Sequence, residues 1–446
     1  MAEHGFAFTP DTFRALAQET LTLAKKGGAT ASEVNVSEGF GLTASVRRGE
    51  VDTLEYNRDK DLSVTVYLGQ RSGNASTSDF SPTAMAATVE AALAIARFTA
   101  EDPCAGLADR DRLATEFPDL ELHHAWALNA DEAVELARQT EAAAFAADGR
   151  ITNSEGASVS CQEGHFIFAT SDGFLGGYAS SRHSISCAVI AGEGEGMQRE
   201  GWYDCRRAPQ DLDSPESIGR EAARRALGRL GARKIATCRA PVLFIAPVAL
   251  TLMGNFAYAI SGGALYRKAS FLLDSIGQSI FPAHVQIVDD PTLLRGLGSS
   301  AFDNEGVATQ RRELVRDGVL QGYLLSSYSA RKLGMESTGN AGGSHNLLVS
   351  GGGGTLAQMA RRMGRGLVVT ELLGSGVNYV TGDYSRGAAG FWVEDGELAW
   401  PVEEVTIAGN LRDMFHNIVA IGDDVLPRSA KRCGSILIES MKIAGR

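Results

Sequence analysis

A catalytic zinc needs at least three converging N, O or S ligands, and peptidase helices usually show two histidines four residues apart. The eight histidines here are His4, His123, His124, His165, His183, His284, His345 and His416, and no two have that spacing. A self-contained zinc site is therefore not expected, although carboxylates can also assemble one. No G-x-S-x-G pentapeptide marks a hydrolase elbow. Gly351–Gly354 has the composition of a phosphate cradle, but no Lys-Ser or Lys-Thr follows, so a flexible hairpin or linker is the plainer expectation. Tyr266-Arg267-Lys268 reads equally well as a grip for a carboxylate or phosphate and as a solvated turn. Arg311-Arg312 and Arg361-Arg362 read as solvated faces. Cys433 follows Arg432, and a cationic neighbour lowers a thiol pKa; a small core residue is the safer expectation.

The element that would have to carry such chemistry lies in Pro241 to Ser279. Val242–Ile245 is a short apolar run that reads as a buried strand. Pro247 suits the first turn of a helix, and Val248, Leu252, Phe256 and Ala259 follow at helical spacing. Gly262-Gly263 is expected to stop this helix. The helix holds no His, Asp, Glu or Cys, so it can neither bind a metal nor move a proton.

Towards the N-terminus, Thr9 and Pro10 open a helix striped by Phe13, Leu16, Ala17, Thr20, Leu21 and Ala24. Short β segments follow at Glu33–Ser37, Leu42–Arg47, Val51–Tyr56, Leu62–Leu68 and Arg71–Ser78, and Ser81-Pro82 opens a second helix. The same order then recurs. A helix from about Asn129 to Ala147 precedes segments at Ala157–Gln162, His165–Thr170, Phe174–Tyr178 and His183–Ile190, and Ser214 caps another helix through Leu230. Residues 1–235 thus read as an α+β domain made by duplicating a helix–antiparallel meander–helix unit.

Residues 240–446 read as a mainly-β domain with helices near 247–261, 355–363 and 409–416. Residues 334–390 contain 15 of the 51 glycines, which predicts many turns there. Asp317-Gly318 and Asp395-Gly396 are hairpin signals, and strands are expected at Gly366–Glu371, Ala389–Val393 and Ser435–Ile438. The net charge of −12 argues against a nucleic-acid surface. Six scattered cysteines without a C-x-x-C pair suggest reduced thiols, and neither a signal pattern nor a membrane-length apolar run is visible. Cytoplasmic localisation is the expectation.

Several segments taken together strongly resemble the TldD/PmbA family, PmbA/TldE branch. They are Gly41-Leu42 through Gly49-Glu50-Val51, Val64–Tyr67, Asp102-Pro103-Cys104-Ala105-Gly106 and Gly263–Lys268. Further on they are Tyr328–Gly334, Ser337–Gly343, Thr381–Trp392 and Ile407–Leu411, so the resemblance covers essentially the whole chain. TldD-type members are metallopeptidases with H-E-x-x-x-H on a helix and a further ligand from a Cys-Gly near the C-terminus. The corresponding helix position here is Leu252–Tyr258, which has no such residues, while Cys433-Gly434 stands at a vestigial ligand position.

The resemblance therefore implies a subunit without catalytic residues or metal of its own, paired with a zinc-bearing TldD-type subunit. Such complexes cleave unfolded or extended peptides and mature peptide precursors. Asn255, Tyr266, Arg267, Lys268, Asn340, His345, Ser385 and Arg386 are the residues expected to touch peptide or partner. Homodimerisation when the chain is alone is a further expectation; nucleic-acid and membrane partners are not expected. The alternatives are a self-sufficient peptidase with an unrecognised metal or Cys433 site, and a binding protein that modulates DNA gyrase.

Overall fold

Thr9 accepts from the Thr12 amide and Pro10 fills the first turn of α1 (Pro10–Lys26), whose apolar stripe of Phe13, Ala17 and Leu21 is buried. The computed structural model describes residues 5–445, so His4 lies outside the described residues. After α1 come β1 (Ala31–Arg47), β2 (Glu50–Leu68), β3 (Arg71–Thr77) and α2 (Pro82–Phe98). Next are α3 (Ala130–Ala147), β4 (Ile151–Thr170), β5 (Leu175–Gly176), β6 (Ala179–Ala191), β7 (Gln198–Arg206) and α4 (Pro215–Gly228). These strands form one sheet in the order β3-β2-β1-β4-β6-β7, with β5 beside β4.

The antiparallel pair β1–β4 forms its middle, and each half repeats the order helix, three main strands, helix. Two separate cores result. Phe13, Leu21, Met85 and Val89 pack on Val34, Val36, Val64 and Val66. Ala133, Ala137, Ile218 and Ala222 pack on Leu42, Ala44, Val159 and Ile185.

Both cores draw on β1 and β4, and this explains why these strands are longer than the sequence suggests. The segments expected at Glu33–Ser37 and Leu42–Arg47 are one strand, as are those at Ala157–Gln162 and His165–Thr170. Val51–Tyr56 and Leu62–Leu68 likewise fuse into β2. The segment expected at Phe174–Tyr178 shrinks to Leu175–Gly176, and β7, too polar to stand out in the sequence, completes the far edge.

The C-terminal part begins with β8 (Cys238–Phe244), whose Val242, Leu243 and Phe244 are fully buried, and continues into α5 (Ala246–Ala259) and α6 (Gly262–Tyr266). There follow β9 (Ile287–Asp290), β10 (Arg312–Arg316), β11 (Val319–Leu320), α7 (Ser327–Leu333), β12 (Asn346–Val349) and α8 (Leu356–Met363). The chain ends with β13 (Gly366–Leu373), β14 (Asp383–Glu394), β15 (Glu397–Asn410), α9 (Leu411–His416), β16 (Ile418–Ile421), β17 (Lys431–Arg432) and β18 (Ile436–Ala444).

One sheet runs β11-β10-β9-β12-β17. The other runs β15-β14-β13-β8-β18-β16, and β15 also pairs with β18, closing five of its strands on themselves. Both Asp-Gly pairs turn hairpins with positive φ at both residues, 50° and 76° at Asp317-Gly318 and 51° and 78° at Asp395-Gly396. Gly262-Gly263 do not simply end the helix before them. Ser261 accepts from the Ala264 amide and caps α6, so the glycines begin a second short helix. The helix α7, opened by reciprocal bonds between Ser326 and Ser329, has no sequence counterpart among the expectations.

Candidate functional site

Helix α5 follows the buried end of β8 and turns Val248, Ala249, Leu252, Met253 and Phe256 into the core. Its one buried polar side chain is Asn255, 8% exposed. The Asn255 carbonyl oxygen accepts from the Tyr379 hydroxyl at 2.9 Å, and its amide nitrogen has no partner. One turn on, Tyr258 packs its ring 4.1 Å from that of Tyr379 and is 42% exposed.

Tyr379 is held there by a hairpin spanning 374–382. The Asn378 amide donates to the Asp383 carbonyl at 2.8 Å, and the Ser385 amide to the Gly376 carbonyl at 2.7 Å. A side chain at Gly376 would collide with the Ser385 carbonyl, so the close approach needs glycine. On β14, Tyr384 is buried with an unpartnered hydroxyl, and the Arg386 side chain, its Nε buried, makes no hydrogen bond or ion pair among the described residues. Burial pushes both the Tyr379 and the Tyr384 phenols up, and the nearby Arg386 charge opposes this in each case. Both hydroxyls stay protonated near neutrality.

The remaining expected residues fall into other neighbourhoods. Ser385 is exposed, and strand alternation places its side chain on the face opposite Tyr384 and Arg386. Tyr266 packs edge-on to Tyr328 at 5.7 Å; Arg267 donates to the Tyr266 hydroxyl at 3.0 Å, and exposed Lys268 takes φ 56°. This loop adjoins a seam between the two parts of the chain. Asp102 accepts from Tyr328 at 2.7 Å and from Lys332 at 2.8 Å, and the Lys332 bond is the main reason its carboxyl is held down at about 2.

Asn340 and His345 are buried around Asp289. Asn340 donates to Asp289 at 2.9 Å and to the Gly343 carbonyl at 3.0 Å, and accepts from Arg312 at 3.1 Å and Thr338 at 2.8 Å. The His345 amide and Nδ1 meet Asp289 at 2.7 and 3.0 Å. Arg312 is thus an internal strut, unlike the solvated face expected for Arg311-Arg312. The glycines at 351–354 are no phosphate cradle either, because Asp423 already takes the Gly352 and Gly354 amides at 2.6 and 3.0 Å.

Cys433 is 1% exposed, and burial, reinforced by Asp424, pushes its thiol far up, so Arg432 does not activate it. A catalytic zinc does not fit the residues present. Leu252–Tyr258 supplies no ligand, and no group of three or more His, Cys, Asp or Glu converges among the described residues. The strand just before Cys433 does approach that helix, since a Cβ on Gly254 would stand 3.7 Å from Lys431 Cε.

Sequence reasoning reached Asn255 and Arg386 but missed Tyr379 and Tyr384. An aromatic inside the turn Gly376–Gly382 was the available signal for Tyr379. It also missed a second titratable cluster. Half-buried Glu33 is pushed up to about 7, chiefly by burial with Glu305 adding, and Asp303 is pushed up to about 6, again chiefly by burial. No helix among the described residues is long and apolar enough to cross a membrane.

Family profiles match three successive stretches: PmbA/TldA metallopeptidase domain 1 at 32–96, its central domain at 123–230 and its C-terminal domain at 237–445. The chain is 53% identical over 420 residues to the metalloprotease PmbA of Escherichia coli O157:H7, covering 94% of this chain and 93% of that one. It is 50% identical over 424 residues to a PmbA homologue of Haemophilus influenzae, covering 95% and 94%. A crystal structure from Bacteroides thetaiotaomicron, described as a candidate modulator of DNA gyrase, superposes with a TM-score of 0.93 at 30% identity, covering 98% and 100%. TldE from Thermococcus kodakarensis shares the fold, with a TM-score of 0.83 at 22% identity and coverage of 96% and 100%.

Proposed function

The chain belongs to the PmbA/TldD metallopeptidase family, and from that premise we propose that it is the non-catalytic subunit of a two-subunit peptidase. In this reading a TldD-type partner carries zinc, and this chain walls the enclosed site and holds unfolded or extended peptide. The observation that carries the reading is the ligand-free stretch Leu252–Tyr258 on α5, at the place where the family resemblance puts the metal helix.

Without two imidazoles and a general base, Leu252–Tyr258 cannot hold a metal that activates water. Cys433 offers no nucleophile in exchange, since it is buried with its thiol held protonated. What remains is binding. The hairpin 374–382 and β14 place apolar surface, including Val380 at 58% exposure, beside the polar cluster of Asn255, Tyr384 and Arg386. Extended peptides bind by main-chain hydrogen bonds and side-chain pockets, which suits substrates of varied sequence. The test is co-expression with the cognate TldD-type protein, followed by sizing and a peptide-cleavage assay. A mixed complex that cleaves at least tenfold faster than the partner alone is expected. Failure to form a complex, together with equal cleavage by the partner alone, would overturn the reading.

A further inference from the structure

Buried polar groups in folded proteins are nearly always hydrogen-bonded, and leaving one without a partner is costly. Three orphans occur together where α5, the 374–382 hairpin and β14 meet: Asn255 Nδ2, the Tyr384 hydroxyl and Arg386 Nε. They are connected through Tyr379, whose hydroxyl bonds Asn255 at 2.9 Å and whose hairpin is pinned to β14 on either side of Tyr384. Asn255 is 8% exposed and Tyr384 is fully buried, while Arg386 is half-buried with only its Nε enclosed.

All three can donate, and only the Tyr384 oxygen can also accept. Arg386 adds a full positive charge with no carboxylate within ion-pair distance among the described residues. The nearest acid in sequence, Asp383, points to the other face of β14, where Thr381 and Asn410 occupy its oxygens at 2.7 and 3.2 Å. The ligand that complements this set is anionic, planar and rich in lone pairs. A carboxylate has two oxygens with about four acceptor positions and forms charge-assisted bonds to a guanidinium. A peptide carbonyl would satisfy a donor but leave the Arg386 charge unmatched. Exposed Tyr258, Leu373 and Val380 add apolar surface to the neighbourhood.

We propose that Asn255, Tyr384 and Arg386 form a carboxylate-binding site that anchors one end of a peptide. The choice of a peptide rests on the subunit reading above; the choice of a carboxylate rests on the orphaned donors. The carboxylate is either the peptide's C-terminus or an acidic side chain, and the experiment separates them.

The purified full-length chain is titrated with three N-terminally fluorescein-labelled pentapeptides. These are Ala-Leu-Ala-Leu-Phe as free acid, the same peptide as C-terminal amide, and Ala-Leu-Ala-Leu-Asp as amide. Fluorescence anisotropy is expected to show at least tenfold tighter binding for one or both carboxylate-bearing peptides than for the plain amide. Tighter binding of the free acid identifies the C-terminus as the anchor, and tighter binding of the Asp amide identifies a side chain. Arg386→Met and Asn255→Asp should each abolish that preference in proteins whose melting temperature stays normal, and Arg386→Lys should retain part of it. Equal binding of all three peptides, absence of binding, or a preference that survives Arg386→Met in a normally melting protein would overturn the proposal. Sizing of the mixed complex uses none of these peptides, so the subunit reading and this site can fail separately.

Discussion

Asn340 and Asn255 are both buried, 4% and 8% exposed, yet their surroundings differ in kind. Around Asn340 both ends of the amide are engaged, between Asp289, Gly343, Arg312 and Thr338. Around Asn255 only the carbonyl end is used, and two further orphaned groups lie near it. A completed network fixes a structure, whereas an incomplete one leaves directional bonds for something else. The first set holds the loop 337–345 against β9, and the second lies against the 374–382 hairpin. Burial of a polar residue alone does not separate scaffold from site; the unused bonds do.

The largest effect should come from the completed network. Asp289→Ala removes the acceptor of Asn340, of the His345 amide and of His345 Nδ1, and leaves Arg312 with less compensation. A loss of about 3–5 kcal/mol in chemical denaturation is expected. A loss below about 1 kcal/mol would show that the network is not structural and would dissolve the contrast. Gly376→Ala comes next. Its new methyl group must push Ser385 away, so about 1–3 kcal/mol of stability should go. Peptide anisotropy should fall further than the melting temperature alone would suggest, since the displaced hairpin carries Tyr379.

The carboxylates at the seam give a pH signature of opposite sign to that of ion-paired acids. Glu33 and Asp303 hold protons up to about 7 and about 6 in the folded chain, while the unfolded chain releases them near 4. The folded state therefore binds more protons across that window, and these groups raise stability as pH falls from about 7 towards about 4.5. Glu33→Gln should flatten this slope and stabilise the protein at pH 8. Melting curves at pH 5 and pH 8 that shift equally in the variant and its parent would contradict the assignment.

The smallest effect belongs to Asn255→Ala, which forfeits one hydrogen bond and relieves one orphan, so its cost should stay below about 1 kcal/mol. Together with the Asp289→Ala result, this small loss sharpens the contrast between the two asparagines.

The sequence carried the repeating order of the N-terminal elements because capped amphipathic helices and alternating strands are local patterns. It did not carry the lengths of β1 and β4, since two cores share each of those strands and only the assembled sheet reveals it. The family motifs Asp102–Gly106 and Tyr328–Gly334 were visible as separate strings, but their meeting through Asp102, Tyr328 and Lys332 is a long-range contact that no local pattern encodes. At α5 the absence of metal ligands could be read directly, and Asn255 and Arg386 stood out as residues. That only the oxygen of Asn255 is satisfied depends on Tyr379 arriving from 124 positions away. Cys433 shows the opposite case, in which a neighbour in sequence suggested activation and burial in space reversed it.

In the two-subunit peptidase proposed above, the metal belongs to the partner. Metal analysis by plasma mass spectrometry, on the dialysed chain alone and on the mixed complex, tests it most directly. No stoichiometric transition metal is expected in the isolated chain, and close to one zinc per pair in a complex that cleaves peptides. A near-equimolar zinc content in the isolated chain, surviving dialysis and accompanied by peptide cleavage, would contradict it.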